Sequence, residues 1–241
     1  MAEQQGTTKV KNIRDLIKRS LHLFANDSLF RNSVFLIAST AIMSVLGFGF
    51  WLFVAHLYTP EQVGAASALI AVTTLLGNIS LLGLDASLVR FLPASRNQSR
   101  DINTAVLAVS GVAITTATLY VFVGPALGLS VPLIDTDWER ILFVGLIAIV
   151  TVNSLTDAVF IANRRAELHT TTYSVLSLVK LILPLVLVQF GALGIFGAYG
   201  LAMASSLALT FYLMRRYTKY QVATQPSWGL INKTRRYTAN N

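Results

Sequence analysis

Long apolar stretches alternate with short polar segments from residue 34 to residue 214. Six of these stretches contain the roughly 20 predominantly apolar residues that a helix needs to cross the hydrocarbon core of a membrane. The pattern therefore predicts an all-α, polytopic membrane protein. Its bundle of six transmembrane helices covers residues 34–57, 63–89, 104–127, 141–162, 171–190 and 193–214.

Short-range signals mark several boundaries of these helices. Thr59 with Gln62, and Thr136 with Glu139, both fit a capping box, in which the two side chains satisfy free amides at a helix start. The glycine-rich residues 191–194 predict a very short hairpin between the fifth and sixth spans. The second span is expected to run as one helix until shortly before Pro93.

Composition agrees with a membrane protein and excludes several kinds of site. Of the 241 residues, 54% are hydrophobic and 12% are charged, whereas soluble domains carry about 25% charged residues. The lack of cysteine excludes a disulfide framework, a cysteine-based zinc site and a cysteine nucleophile. No metal-ligand spacing, nucleotide-binding loop or nucleophile motif occurs in the sequence. We therefore expect no enzyme activity, no metal and no cofactor.

The basic residues indicate how the chain is oriented in the membrane. The net charge is +8, but all 19 lysines and arginines except Arg140 and Lys180 fall on one side of the predicted membrane. Basic residues concentrate in cytoplasmic loops, so both termini are predicted to be cytoplasmic and the protein to lie in the inner (plasma) membrane. Because topology explains the positive charge, we expect no nucleic-acid partner.

The N-terminal segment has a pattern of its own. Residues 8–24 place apolar side chains at helical spacing and basic side chains between them. This pattern is typical of an amphipathic helix that lies on an anionic membrane surface. A flexible basic tail is the alternative interpretation.

Ionisable and amide side chains inside the spans are the candidate functional residues, because such groups are unfavourable in hydrocarbon. Thr74, Asn78 and Asp85 are expected on one face of the second span, and Asn153 and Asp157 on one face of the fourth. The predicted cavity-lining residues are Asn78, Asp85, Arg90, Asn153, Asp157 and Lys180.

The intramembrane charges suggest a specific pairing. Depth along the helices permits an ion pair between Asp157 and Lys180, with Asp85 and Lys180 as the alternative. Such a pair could serve only to hold two helices together. It could instead line a cavity that contacts a polar cargo or a coupling ion.

The most specific motifs lie between Leu29 and Pro93. They include Gly47-Phe48-Gly49-Phe50-Trp51, the segment around Thr59-Pro60-Glu61-Gln62, and the segment Leu82-Gly83-Leu84-Asp85 that leads to Val89-Arg90-Phe91-Leu92-Pro93. This region resembles the polysaccharide-biosynthesis (oligosaccharide flippase) family of the multidrug/oligosaccharidyl-lipid/polysaccharide exporter superfamily.

The resemblance implies a function. It implies a transporter lobe that moves a lipid-linked oligosaccharide between membrane leaflets by alternating access, for the synthesis of surface polysaccharide. It also implies that Asp85 and Arg90 lie at the cytoplasmic rim of the cavity. The implied partners are a lipid-linked saccharide and membrane lipids.

Members of this family have two lobes and about twice the length of this chain. The expected organisation is a cytoplasmic or interfacial segment over residues 1–30, a six-helix lobe over 31–216, and a tail over 217–241 that could lead to a second lobe. Three interpretations stay open. The chain could be a lobe that pairs with a second polypeptide or an identical subunit, it could be another half-transporter that acts as a dimer, or it could be a truncated non-functional remnant.

Overall fold

The computed structural model describes residues 28–128, 134–218, 220 and 221, with side chains from Ser33 onward in the first helix. The predicted amphipathic segment at residues 8–24 and most of the predicted tail lie outside the described residues.

The described residues form α-helices joined by short turns, without β-strands. Six of these helices are long and apolar enough to cross a membrane, which confirms the predicted fold class. The helices are α1 (Ser28–Leu57), α2 (Pro60–Ser80), α3 (Leu84–Phe91), α4 (Gln98–Val123), α5 (Asp137–Ala162), α6 (Ala166–Val186) and α7 (Gly191–Tyr217).

The second predicted span is not one helix. It is broken at residues 81–83, where Leu82 and Gly83 adopt left-handed conformations with φ of 49° and 72°. A left-handed residue ends an α-helix, and leucine adopts this conformation rarely. The continuous helix over 63–89 was therefore a wrong prediction, and Asp85 lies on the separate short helix α3.

Both predicted capping boxes are present. The Thr59 side chain accepts from the Gln62 amide and the Thr136 side chain from the Glu139 amide, and each partner side chain accepts in return from the capping residue. The predicted hairpin over residues 191–194 was misplaced, because α7 already begins at Gly191 and the turn is a 3-10 helix over Val188–Phe190.

Helix α5 lies at the centre of the bundle. It packs against α2, α3, α4, α6 and α7, and most of its membrane-spanning part is buried. Helix α1 packs mainly along α6, has few contacts with α2, and is otherwise largely exposed. The bundle therefore has an open side where α1 and α2 stand apart.

The described arginines other than Arg140 lie at one end of the bundle, here called the basic end. Near this end the Tyr220 hydroxyl donates to Asn103 on α4, and the Gln221 amide donates to the Ser99 hydroxyl at 3.1 Å. These bonds join the end of α7 to the start of α4. Arg140 lies at the opposite end, at the start of α5, so the arginines within the described residues are grouped as the sequence predicted.

Candidate functional site

A series of polar side chains runs through the interior of the bundle and is here called the polar chain. It consists of residues from α5, α6 and α7: Asp157, His169, Tyr173, Tyr199 and Lys180. The helix rise of about 1.5 Å per residue places Asp157 roughly 7 Å from the basic end of α5 and Lys180 roughly 21 Å from the basic end of α6. The polar chain therefore extends over roughly 14 Å, about half of the hydrocarbon thickness.

Asp157 forms the end of the polar chain nearest the basic end. Its Oδ2 accepts a hydrogen bond of 2.9 Å from the Tyr173 hydroxyl. Its Oδ1 lies 4.0 Å from His169 Nε2, too far for a direct hydrogen bond. The Asp157 side chain is only 14% exposed. This carboxyl group is thus held inside the bundle with one hydrogen-bond donor.

His169 lies between this carboxyl group and the basic end. Its ring packs at a tilt of 41° against that of Tyr173, with 4.5 Å between the ring centroids. Its Nδ1 is buried and has no hydrogen-bond partner among the described residues. An imidazole with an unused nitrogen beside a carboxyl group can accept or release a proton, or bind a polar group of a ligand.

Lys180 forms the other end of the polar chain. Its Nζ lies 4.3 Å from the centroid of the Phe50 ring on α1 and 5.2 Å from that of Tyr199 on α7. Aromatic faces stabilise a cation at such distances. They do not neutralise it, so Lys180 keeps its capacity to attract an anionic group.

Tyr199 connects the two ends and leads toward the open side of the bundle. It lies near Tyr173 and near the Thr74 side chain on α2, whose hydroxyl donates to the Ile70 carbonyl at 2.8 Å. Asn78 lies one helical turn further along the same face of α2 and is exposed. The polar chain thus leads from Asp157 to the open side between α1 and α2.

Two predicted site residues lie beside the polar chain. Asn153 is buried one turn before Asp157 on α5, and its Nδ2 donates to Met203 Sδ at 3.3 Å. Asn78 is on the exposed face of α2, as the spacing with Thr74 predicted.

Asp85 and Arg90 lie elsewhere. Because α2 ends before residue 81, Asp85 does not continue the face that carries Thr74 and Asn78, contrary to the prediction. Asp85 is half-buried and Arg90 exposed on α3, at the basic end of the bundle. The Arg90 guanidinium lies 5.6 Å from the centroid of the Phe91 ring.

The predicted ion pair is absent. Lys180 takes part in none of the ion pairs that the described residues form, so neither Asp157 nor Asp85 is its partner. The depths explain the error, because Lys180 lies roughly 14 Å further from the basic end than Asp157 does. The predicted depth of Lys180 was too small because the fifth span was taken to start at residue 171, whereas α6 begins at Ala166.

His169, Tyr173 and Tyr199 were not predicted as site residues. The spacing of four between His169 and Tyr173 puts both side chains on one face of α6, a signal that was available in the sequence. Tyr199 has no such signal, because its place in the polar chain depends on how α7 packs against α2 and α6.

Comparison with known proteins places this architecture in context. The family model described as polysaccharide biosynthesis protein matches residues 29–239. No protein of curated function matches the chain. A solved structure of a MOP superfamily transporter from Pyrococcus furiosus, described as having a binding pocket of reverse polarity that suggests a different function, is similar in fold with a TM-score of 0.59 and 16% sequence identity. The similarity covers 88% of this chain and 51% of that one, so this chain spans about half the length of that transporter.

Proposed function

Because this chain belongs to the polysaccharide biosynthesis protein family, we propose that it works as one lobe of a transporter that moves a lipid-linked oligosaccharide across the inner membrane. The transported saccharide serves the synthesis of surface polysaccharide. Transport proceeds by alternating access, and both termini of the chain lie in the cytoplasm.

The polar chain is the observation that carries this proposal. A purely structural polar contact in a membrane joins two helices at one depth. Here polar groups on α5, α6 and α7 extend over roughly 14 Å of depth, and they include a largely buried carboxyl group and a cation that forms no ion pair with the part of the chain that the structure describes. Ionisable groups inside a membrane usually mark a substrate or ion pathway.

The polar residues on the open side of the bundle favour a cavity next to the polar chain. Thr40 and Ser44 on α1 and Asn78 on α2 are exposed, and Ser67 on α2 is half-buried. The hydroxyl groups of Thr40, Ser44 and Ser67 donate to carbonyls of their own helices. An amide such as the exposed Asn78 carries two donors and an acceptor, which one backbone carbonyl cannot satisfy together, and it is unfavourable against lipid. We propose that water and cargo cover this side and that Asn78, Asn153, Asp157 and Lys180 line the cavity.

A second lobe would close the cavity on the open side. We propose that it is either a further polypeptide segment or an identical subunit. Asp85 and Arg90 on α3 are then the residues at the cytoplasmic rim, where the anionic part of a lipid-linked saccharide first meets the protein.

The proposal is tested by transport in membrane vesicles from cells that express the full chain. A fluorescent lipid-linked oligosaccharide is supplied on one leaflet, and its appearance on the other is followed with a membrane-impermeant quencher. Lys180→Met removes the cation and keeps most of the side-chain volume, and Asp157→Asn removes the carboxylate charge. Each is expected to slow transport by about tenfold or more, equivalent to ~1.4 kcal/mol in the barrier.

Thr115→Val is the matched control. Thr115 is a polar residue of a spanning helix, exposed on α4, and its hydroxyl donates to the Gly111 carbonyl. This variant should transport normally. If Lys180→Met and Asp157→Asn fold and transport at the rate of Thr115→Val, the polar chain is not part of a transport path.

A further inference from the structure

A groove lies between α4 and α5 at the end of the bundle opposite the basic end. It has a volume of about 300 Å³ and is lined mainly by apolar side chains, among them Val121, Phe122, Ile141 and Val144. Phe122 and Ile141 are 72% and 64% exposed. The groove is formed by membrane-spanning helices and is separate from the polar chain.

An ion pair lies at one end of this groove. Arg140 Nη1 is 2.9 Å from Asp137 Oδ1, and Arg140 Nη2 donates to the Asp135 carbonyl at 3.2 Å. The Asp137 side chain is 91% exposed and that of Arg140 is 40% exposed. Asp137 is the first residue of α5, which places the pair where the helix leaves the membrane. The exposed Trp138 next to it is typical of this boundary region.

We propose that this groove binds a phospholipid whose zwitterionic headgroup carries a phosphate and a primary ammonium group. Arg140 would bind the phosphate, Asp137 would accept from the ammonium group, and an acyl chain would lie along the groove. From Asp137 to Val144 the groove follows α5 for roughly 10 Å. It thus holds the upper part of an acyl chain in a hydrocarbon core of about 30 Å.

The local charges favour this headgroup over an anionic one. Asp135 and Glu139 adjoin the ion pair, so this end of the bundle carries more negative than positive side chains. The Glu139 carboxylate already accepts from the Asp135 and Thr136 amides and is held in the capping box. A lipid whose headgroup carries only negative charge would be attracted by Arg140 but repelled by these carboxylates.

The headgroup must also supply the selectivity. In a bilayer the acyl chain moves from apolar lipid into an equally apolar groove, so no hydrophobic driving force favours its entry. A trimethylated ammonium group cannot donate a hydrogen bond to Asp137, whereas a primary one can. The proposal therefore distinguishes phosphatidylethanolamine from both phosphatidylcholine and phosphatidylglycerol.

Quenching of Trp138 fluorescence tests the proposal, and it is independent of transport. The full chain with Trp51→Phe and Trp228→Phe keeps Trp138 as the one tryptophan. It is reconstituted into phosphatidylcholine vesicles that contain a minor fraction of lipid brominated on its acyl chains. Brominated phosphatidylethanolamine should bind about two- to fivefold more tightly than brominated phosphatidylcholine or phosphatidylglycerol, as expected for exposed charge pairs.

Variants identify the groups that select the lipid. Arg140→Gln and Asp137→Asn should each remove the preference for phosphatidylethanolamine. Arg165→Gln, which breaks an exposed ion pair with Glu167 outside the groove, should leave it intact. Equal quenching by all three lipids, a preference for phosphatidylglycerol, or a preference that survives both groove variants would overturn the proposal.

Discussion

Gly194→Ala should strongly destabilise the bundle, because α7 begins in direct contact with the end of α6. A Cβ at position 194 would lie 2.1 Å from the Leu187 carbonyl oxygen, well inside the 3.0 Å below which such contacts essentially never occur. That oxygen belongs to the backbone and accepts from the Phe190 amide at 3.0 Å. It cannot move away as a flexible side chain would.

The size of the effect follows from the overlap. Relief requires a backbone shift of about 1 Å, and overpacking of this kind reduces the free energy of unfolding by about 2–3 kcal/mol. For a chain of this length that corresponds to roughly 4–12 °C in melting temperature. Thermal unfolding of the full chain in detergent, followed by size-exclusion chromatography, measures the shift.

Gly197→Ala is the matched control in the same helix. Its Cβ would meet only Leu187 Cδ1, at 4.0 Å, and alanine favours a helix over glycine by up to about 1 kcal/mol. The melting temperature of this variant should be unchanged or slightly higher. If Gly194→Ala and Gly197→Ala melt together, or if Gly194→Ala melts with the wild type, the close approach of the two helices is refuted.

Three further substitutions test other contacts. Tyr58→Phe removes the 2.7 Å hydrogen bond to the Pro184 carbonyl and should reduce the unfolding free energy by about 1–2 kcal/mol; an unchanged melting temperature in detergent would contradict this. Thr136→Ala removes the cap of α5 and should reduce the free energy of unfolding by about 1 kcal/mol. Hydrogen exchange of the Glu139 amide should become faster, and faster exchange only in other segments would argue against this role of Thr136. Lys180→Met should leave the melting temperature equal or raise it, because a half-buried charge that pairs with no acid among the described residues is replaced by an apolar chain. A marked loss of stability would show that the lysine is structural.

Several features followed from the sequence because they depend on local or averaged properties. The number of spans is set by the length of apolar stretches relative to membrane thickness. The capping boxes of Thr59 and Thr136 depend on residues three positions apart. The grouping of basic residues at one end follows from the alternation of short loops between the spans.

The interior of the bundle could not be read in the same way. Leu82 is apolar and fits a continuous span by hydropathy, yet its left-handed conformation ends α2 and moves Asp85 onto another helix. Nothing in the hydropathy of residues 63–89 shows this break. The isolated Gly83 could have indicated it, because glycine adopts a positive φ without strain.

The partners of the intramembrane charges were also decided by tertiary structure. Lys180 is placed between Phe50 and Tyr199, and Asp157 beside Tyr173 and His169. Sequence spacing shows which residues share a face of one helix, but it contains no information on how that helix is rotated or shifted along its neighbours. The sequence by itself therefore determined that six helices cross a membrane with their basic residues at one end. Only the packing of α1, α5, α6 and α7 decided which polar side chains meet, because each contact depends on the rotation and depth of two helices at once.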